Sequence, residues 1–118
     1  MKYILLTLFL CSFSAQAEWQ GLFNNEDLSG WHTAPGGTWE NQNGVITGTS
    51  LKKETRHGLL VSDNVYSNFT AQLEFKSHYG NSGLYFRSAL KPNTATSIYG
   101  FQAEIAPSFE TGGLYETG

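Results

Sequence analysis

Three runs of alternating residues in the later part of the chain constrain its fold more than any other feature. They are Phe69-Thr70-Ala71-Gln72-Leu73-Glu74-Phe75-Lys76, Asn81-Ser82-Gly83-Leu84-Tyr85-Phe86-Arg87 and Tyr99-Gly100-Phe101-Gln102-Ala103-Glu104-Ile105. Successive side chains of a strand point to opposite faces, so a run of this kind buries one face and wets the other. Phe69, Ala71, Leu73 and Phe75 fall on the apolar face of the first run, Leu84 and Phe86 on that of the second, and Phe101, Ala103 and Ile105 on that of the third. The opposite faces carry Gln72, Glu74, Lys76, Tyr85, Arg87, Gln102 and Glu104. Carboxylates, an arginine, amides and a phenol gathered on one sheet face make a candidate site. Glu74, Arg87 and Glu104 are its catalytic candidates, and Gln72, Tyr85 and Gln102 its substrate-binding candidates.

The connections between these runs point to antiparallel pairing. His78-Tyr79-Gly80-Asn81 is a tight link between the first and second runs. Core positions are odd-numbered in one and even-numbered in the other, so facing residues must sum to an odd number. Pairing Ser77 with Ser82 meets that condition, sets Tyr85 opposite Glu74 and leaves Arg87 diagonal to Glu74. A polar loop with Lys91-Pro92-Asn93 follows, Pro107 ends the third run, and Thr111 to Tyr115 begins another element. Earlier in the chain, Asn43-Gly44 between Trp39 and Val45-Ile46 signals a hairpin over Thr38 to Thr47. His57 to Val61 reads as a short strand. Trp19 to Trp31 reads as an irregular lead-in with a turn at Asn24-Asn25 and with Leu22, Phe23, Leu28 and Trp31 as its packing residues. Thirteen glycines, 14% aromatic residues and no strong helix-forming stretch make this an all-β chain.

The N-terminus reads as an export signal. Met1-Lys2 is a short positive segment, Tyr3 to Phe13 an apolar run too short to span a bilayer, and Ala15-Gln16-Ala17 a cleavage pattern. Residues 1–17 are therefore expected to be removed, leaving 18–118 as one domain in a secreted or periplasmic protein with no stable membrane anchor. The sole cysteine, Cys11, lies in the signal, and the large Leu10 before it disfavours lipidation. The mature domain has no disulfide framework and relies on burial. A net charge of −3 without a basic cluster argues against nucleic acid and anionic membranes as partners.

No general catalytic motif is present: no nucleophile elbow, no phosphate-binding glycine loop, no spaced metal-ligand pattern. His32, His57 and His78 are far apart in sequence, so the fold alone would have to assemble a metal site, and no cofactor is assigned. A polar sheet face is also the solvated side of any half-buried sheet, and Glu74 with Arg87 an ordinary cross-strand pair. The functional alternative rests on tyrosine beside arginine and carboxylates, a mixture suited to sugar hydroxyls and ring faces. On three neighbouring strands Glu74 and Glu104 would lie about 10 Å apart, leaning toward the spacing of an acid and base about one bond.

Leu22-Phe23-Asn24 with Asp27-Leu28-Ser29-Gly30-Trp31, then Asn43-Gly44-Val45-Ile46-Thr47-Gly48, Leu73-Glu74-Phe75, Asn81 to Arg87, Gly100 to Ile105 and Gly112-Gly113-Leu114-Tyr115 together resemble the 3-keto-disaccharide hydrolase family (DUF1080). The resemblance runs in the family's order from Trp19 to the last residue. It implies a concanavalin A-like antiparallel β-sandwich (jelly roll), of which this chain would be the incomplete, N-terminal part. It also implies export and a saccharide partner: cleavage of glycosides whose sugar carries a 3-keto group, by hydrolysis or elimination. Many members read Tyr-Glu-x-Gln where this chain has Phe101-Gln102-Ala103-Glu104, so carboxylate and amide are exchanged, and Pro107 replaces a common aspartate. Because lectins and glucanases share this fold, a non-catalytic carbohydrate-binding module is the alternative.

Overall fold

The computed structural model describes residues 18–94 and 96–117; the expected export signal, residues 1–17, lies outside them. Those residues form strands β1 (Trp31–Thr33), β2 (Thr38–Gln42), β3 (Val45–Thr49), β4 (Leu60–Ser62), β5 (Ser82–Leu90), β6 (Ile98–Ile105) and β7 (Leu114–Thr117), with no helix among them. Every pairing is antiparallel: β1 with β4, β2 with β3, and β5-β6-β7 in that order. The all-β, antiparallel class therefore holds.

The β2–β3 hairpin turns at Asn43 (φ 55°) and Gly44 (φ 80°), the left-handed pair that a two-residue turn requires to match strand twist. The Asn41 carboxamide anchors it, accepting from the Gly44 amide at 2.8 Å and donating to the carbonyls of Asn25, at 3.1 Å, and Glu26. Trp39 Nε1 reaches the Gly58 carbonyl at 2.8 Å and ties the hairpin to the approach of β4. In the lead-in, Asn24 Oδ1 accepts the backbone amides of Glu26 and Asp27, and Asp27 Oδ1 accepts that of Ser29. Hydrogen bonds from Ser29 and then Asn24 hold the Asp27 carboxyl below its ordinary value. Trp31 Nε1 donates to the Leu22 carbonyl at 2.9 Å, while the Leu22 side chain, expected to pack, is exposed.

In the three-stranded sheet, Leu84 opposes Ala103 and Phe86 opposes Phe101, so the apolar positions of β5 and β6 share one face as their parity requires. The Phe86 and Phe101 rings stack with centroids 5.8 Å apart. After this pair the register shifts: Arg87 and Ser88 together face Gly100, a β-bulge that puts Arg87 at φ 47°. Gly100 is needed there, since a Cβ on it would lie 2.6 Å from the Ser88 Cα.

The first alternating run departs from expectation. Residues 69–76 form no strand, and Phe69, Leu73 and Phe75 are exposed. β5 pairs with β6, setting Tyr85 opposite Gln102 as the order of the runs requires, but its other edge, where Glu74 was expected opposite Tyr85, carries no ladder among the described residues. Alternation specifies which side chains share a face, but a strand exists only where another backbone supplies the ladder. Here the connection from 91 to 97 supplies it, closed by the Lys91 amide on the Ser97 carbonyl at 2.9 Å. Apolar burial is sparse: among the described residues only Ala34 and Ala106 are buried hydrophobics, and the sheet faces remain open.

Candidate functional site

The polar face of the β5-β6-β7 sheet is organised about Glu104 on the central strand. Directly opposite on β5 is Gly83, and on the other side the Glu104 amide donates to the Gly113 carbonyl at 2.9 Å. A glycine therefore flanks Glu104 on each side. The next row on the same face is Tyr85, Gln102 and Tyr115, again in register across three strands.

Glu104 is 7% exposed, the one buried charged residue among those described. A buried carboxylate requires hydrogen-bond partners, and two neutral amides provide them. Asn81 Nδ2 donates to Oε1, and Gln102 Nε2 donates to Oε2 at 2.9 Å. The same Gln102 nitrogen lies 3.3 Å from the Ser82 carbonyl, so both amide hydrogens have acceptors. Burial first, and the negative charge of Glu104 second, push the Tyr85 phenol above its ordinary value. Tyr85 thus remains a protonated O–H donor at neutral pH.

Three of the six residues singled out from sequence, Tyr85, Gln102 and Glu104, meet on this face. Arg87 is exposed on the bulge two residues beyond Tyr85. Gln72 and Glu74 lie on the exposed segment 69–76, which forms no strand. The ion pairs of the described residues are His32–Asp63 and Arg56–Glu54, neither of which involves Arg87 or Glu74. His32 is 2.6 Å from Asp63 while His57 and His78 are exposed, and the described residues bring no three potential metal ligands together.

Two members of the cluster carried no site role in the sequence reading. Asn81 shares odd parity with Tyr85 along the β5 line, and extending the alternation by one more position would have found it. Tyr115 had no such signal, because its place beside Gln102 depends on the β6–β7 register. A separate cavity of about 240 Å³ opens beside the lead-in, with Phe23, Trp31 and Tyr66 among its lining residues. No charged side chain lines it, so it lacks the acid–base groups that Glu104's face provides.

The family model of the 3-keto-alpha-glucoside-1,2-lyase-like domain matches residues 18–118. The chain belongs to this family. Comparison with curated proteins and with solved structures finds no match. Family membership sets the chain, at a coarse level, among domains like those that act on keto-glucosides. On the face of this lyase-like domain stand a fixed carboxylate able to accept a proton or a hydroxyl hydrogen bond, and a neutral phenol able to donate one.

Proposed function

We propose that this lyase-like domain is part of an exported enzyme that cleaves the glycosidic bond of 3-keto sugars, with Glu104 as general base. The observation that carries this reading is the Glu104 carboxylate itself, buried and held on both oxygens by amides, one from β6 and one from the residue leading into β5. A carboxylate fixed in this way keeps a lone pair on each oxygen in a set direction, as proton abstraction requires. Export is supported by the signal-like residues 1–17 and by a family match that starts at residue 18.

The substrate chemistry suits such a base. A ketone at C3 acidifies the C2 proton. Transfer of that proton to Glu104 leaves an enolate, whose electrons form the C1–C2 double bond as the C1–O bond breaks. The departing oxygen takes up a proton, for which the Tyr85 phenol is a nearby donor. Arg87 on the bulge is the candidate cation for the enolate oxygen. Addition of water to the double bond would turn elimination into net hydrolysis.

Turnover of a 3-keto-glucoside by the intact protein, compared with its Glu104→Gln variant, tests the reading. The expected result is a loss of at least about 100-fold in kcat with substrate binding retained. An unchanged kcat places the base elsewhere. Glycan binding with no turnover in the unmodified protein overturns the enzyme reading in favour of a lectin-like module.

A further inference from the structure

We propose that Gly83 is a positioning residue: its missing side chain is the space in which the Gln102 carboxamide lies to grip Glu104. The inference rests on the proposed role of Glu104 and adds a residue to it. The Gln102 side chain does not stand up from the sheet. It folds across β5, where Nε2 reaches both the Ser82 carbonyl and Glu104 Oε2. A Cβ built on Gly83 would lie 2.6 Å from Gln102 Cγ and 2.7 Å from its Cδ, and the amide nitrogen would be closer still. These distances are well inside carbon–carbon contact. All three nearest atoms belong to that one side chain and none to the backbone. Gly83 has no positive φ, so its backbone conformation is open to any residue. The requirement for glycine is therefore local and specific: an added methyl displaces the amide while the strand keeps its path.

Gln102 cannot accommodate that methyl and keep both bonds. Its amide is shared between the Ser82 carbonyl and Glu104 Oε2, and in that position its Cγ, Cδ and Nε2 all occupy the space of a Cβ at position 83. Displacement leaves Glu104 Oε2 without its donor and the carboxylate free to rotate about its last bond. Asn81 alone then holds it, through the other oxygen.

A double-mutant cycle in the intact protein tests this, with two readouts: kcat/KM on a 3-keto-glucoside and the 13C resonance of the Glu104 carboxyl carbon. Gly83→Ala and Gln102→Ala are each expected to lower kcat/KM about tenfold, the scale of one lost hydrogen bond to a charged group. Each should also move the Glu104 resonance the same way. The double variant Gly83→Ala/Gln102→Ala should show no further loss, because the methyl has no amide left to displace. Independent losses that multiply in the double variant overturn the proposal, as does a Gly83→Ala variant that behaves like the unmodified protein. If Gly83→Ala fails to fold, restored folding in the double variant supports the same clash. Failure of both variants to fold assigns the glycine to the backbone and overturns it. The resonance separates this inference from the enzymatic one: coupling there stands even if Glu104→Gln leaves turnover intact, an outcome that sinks only the assignment of Glu104 as base.

Discussion

Gln102 and Glu104 lie two residues apart on one face of β6, and the amide of the first donates to the carboxylate of the second at 2.9 Å. Neighbours at this spacing on a strand stand about 7 Å apart at their Cα atoms and rarely meet unless one side chain leans along the strand. Gln102 leans because the Ser82 carbonyl draws its nitrogen over β5. The result is a carboxylate whose direction is set by two elements, β6 itself and the residue leading into β5.

Asn81 is the other half of that grip. Asn81→Ala should lower kcat on a 3-keto-glucoside about tenfold with little change in KM, since the lost bond aims the base and does not hold the sugar. Asn81→Asp places a second carboxylate against Glu104 and should lose more through like-charge repulsion. Steady-state kinetics of the two variants checks the order, and equal losses would argue against a direct contact.

Tyr85 should ionise later than an ordinary tyrosine, because burial and the charge of Glu104 both disfavour the phenolate. With its folded-state pKa raised, the group's contribution to stability is complete below the unfolded value of about 10 and is lost as pH rises beyond it. Ultraviolet difference titration should show a late phase among the tyrosines, and Tyr85→Phe should remove it. A late phase that survives the substitution belongs to another tyrosine.

Arg87 combines a left-handed backbone at φ 47° with a charge beside the polar face. Any residue with a Cβ is disfavoured there by about 1 kcal/mol relative to glycine. Arg87→Gly should therefore be more stable than Arg87→Ala by about that amount in denaturant unfolding of the intact protein. If the guanidinium serves the enolate, both variants should lose turnover alike despite their different stabilities. Recovery of activity in the glycine variant would make the bulge geometry, and not the charge, the functional element.

Glu54 and Arg56 form an exposed ion pair 2.6 Å long, in which the Arg56 hydrogen bonds hold the Glu54 carboxyl at about 2. A depressed carboxylate contributes stability above its unfolded pKa and loses it as pH falls toward the folded one. NMR titration should show Glu54 returning toward the ordinary carboxylate range in Arg56→Ala. Because the pair is solvated, the accompanying change in unfolding free energy should be small and should fade with added salt. A large, salt-independent change would contradict its exposure.

How much of this was legible beforehand differs from residue to residue. The Asn43-Gly44 turn was, because its backbone demand is met within two residues. The shared faces of Leu84 with Ala103 and of Tyr85 with Gln102 were too, because alternation has a fixed period of two. So was the place of β6 beside β5, as the next run in the chain. The absence of a strand over Phe69 to Lys76 was not, because that run alternates as well as β6 does and alternation does not say whether a second backbone will ladder with it. Nor was the grip on Glu104 legible, since a glycine in a strand pattern does not say which side chain will lie across it.

The sequence by itself determined an antiparallel all-β chain of the 3-keto-alpha-glucoside-1,2-lyase-like family, its turns, and the polar face that carries Tyr85, Gln102 and Glu104. Only the tertiary structure decided that residues 69–76 form no strand beside β5, and that Asn81 and Gln102 converge on one carboxylate. The physical reason is range. Periodicity and turn chemistry act between residues a few positions apart, whereas Glu104 meets positions 81, 83 and 113 through a register set by the whole sheet.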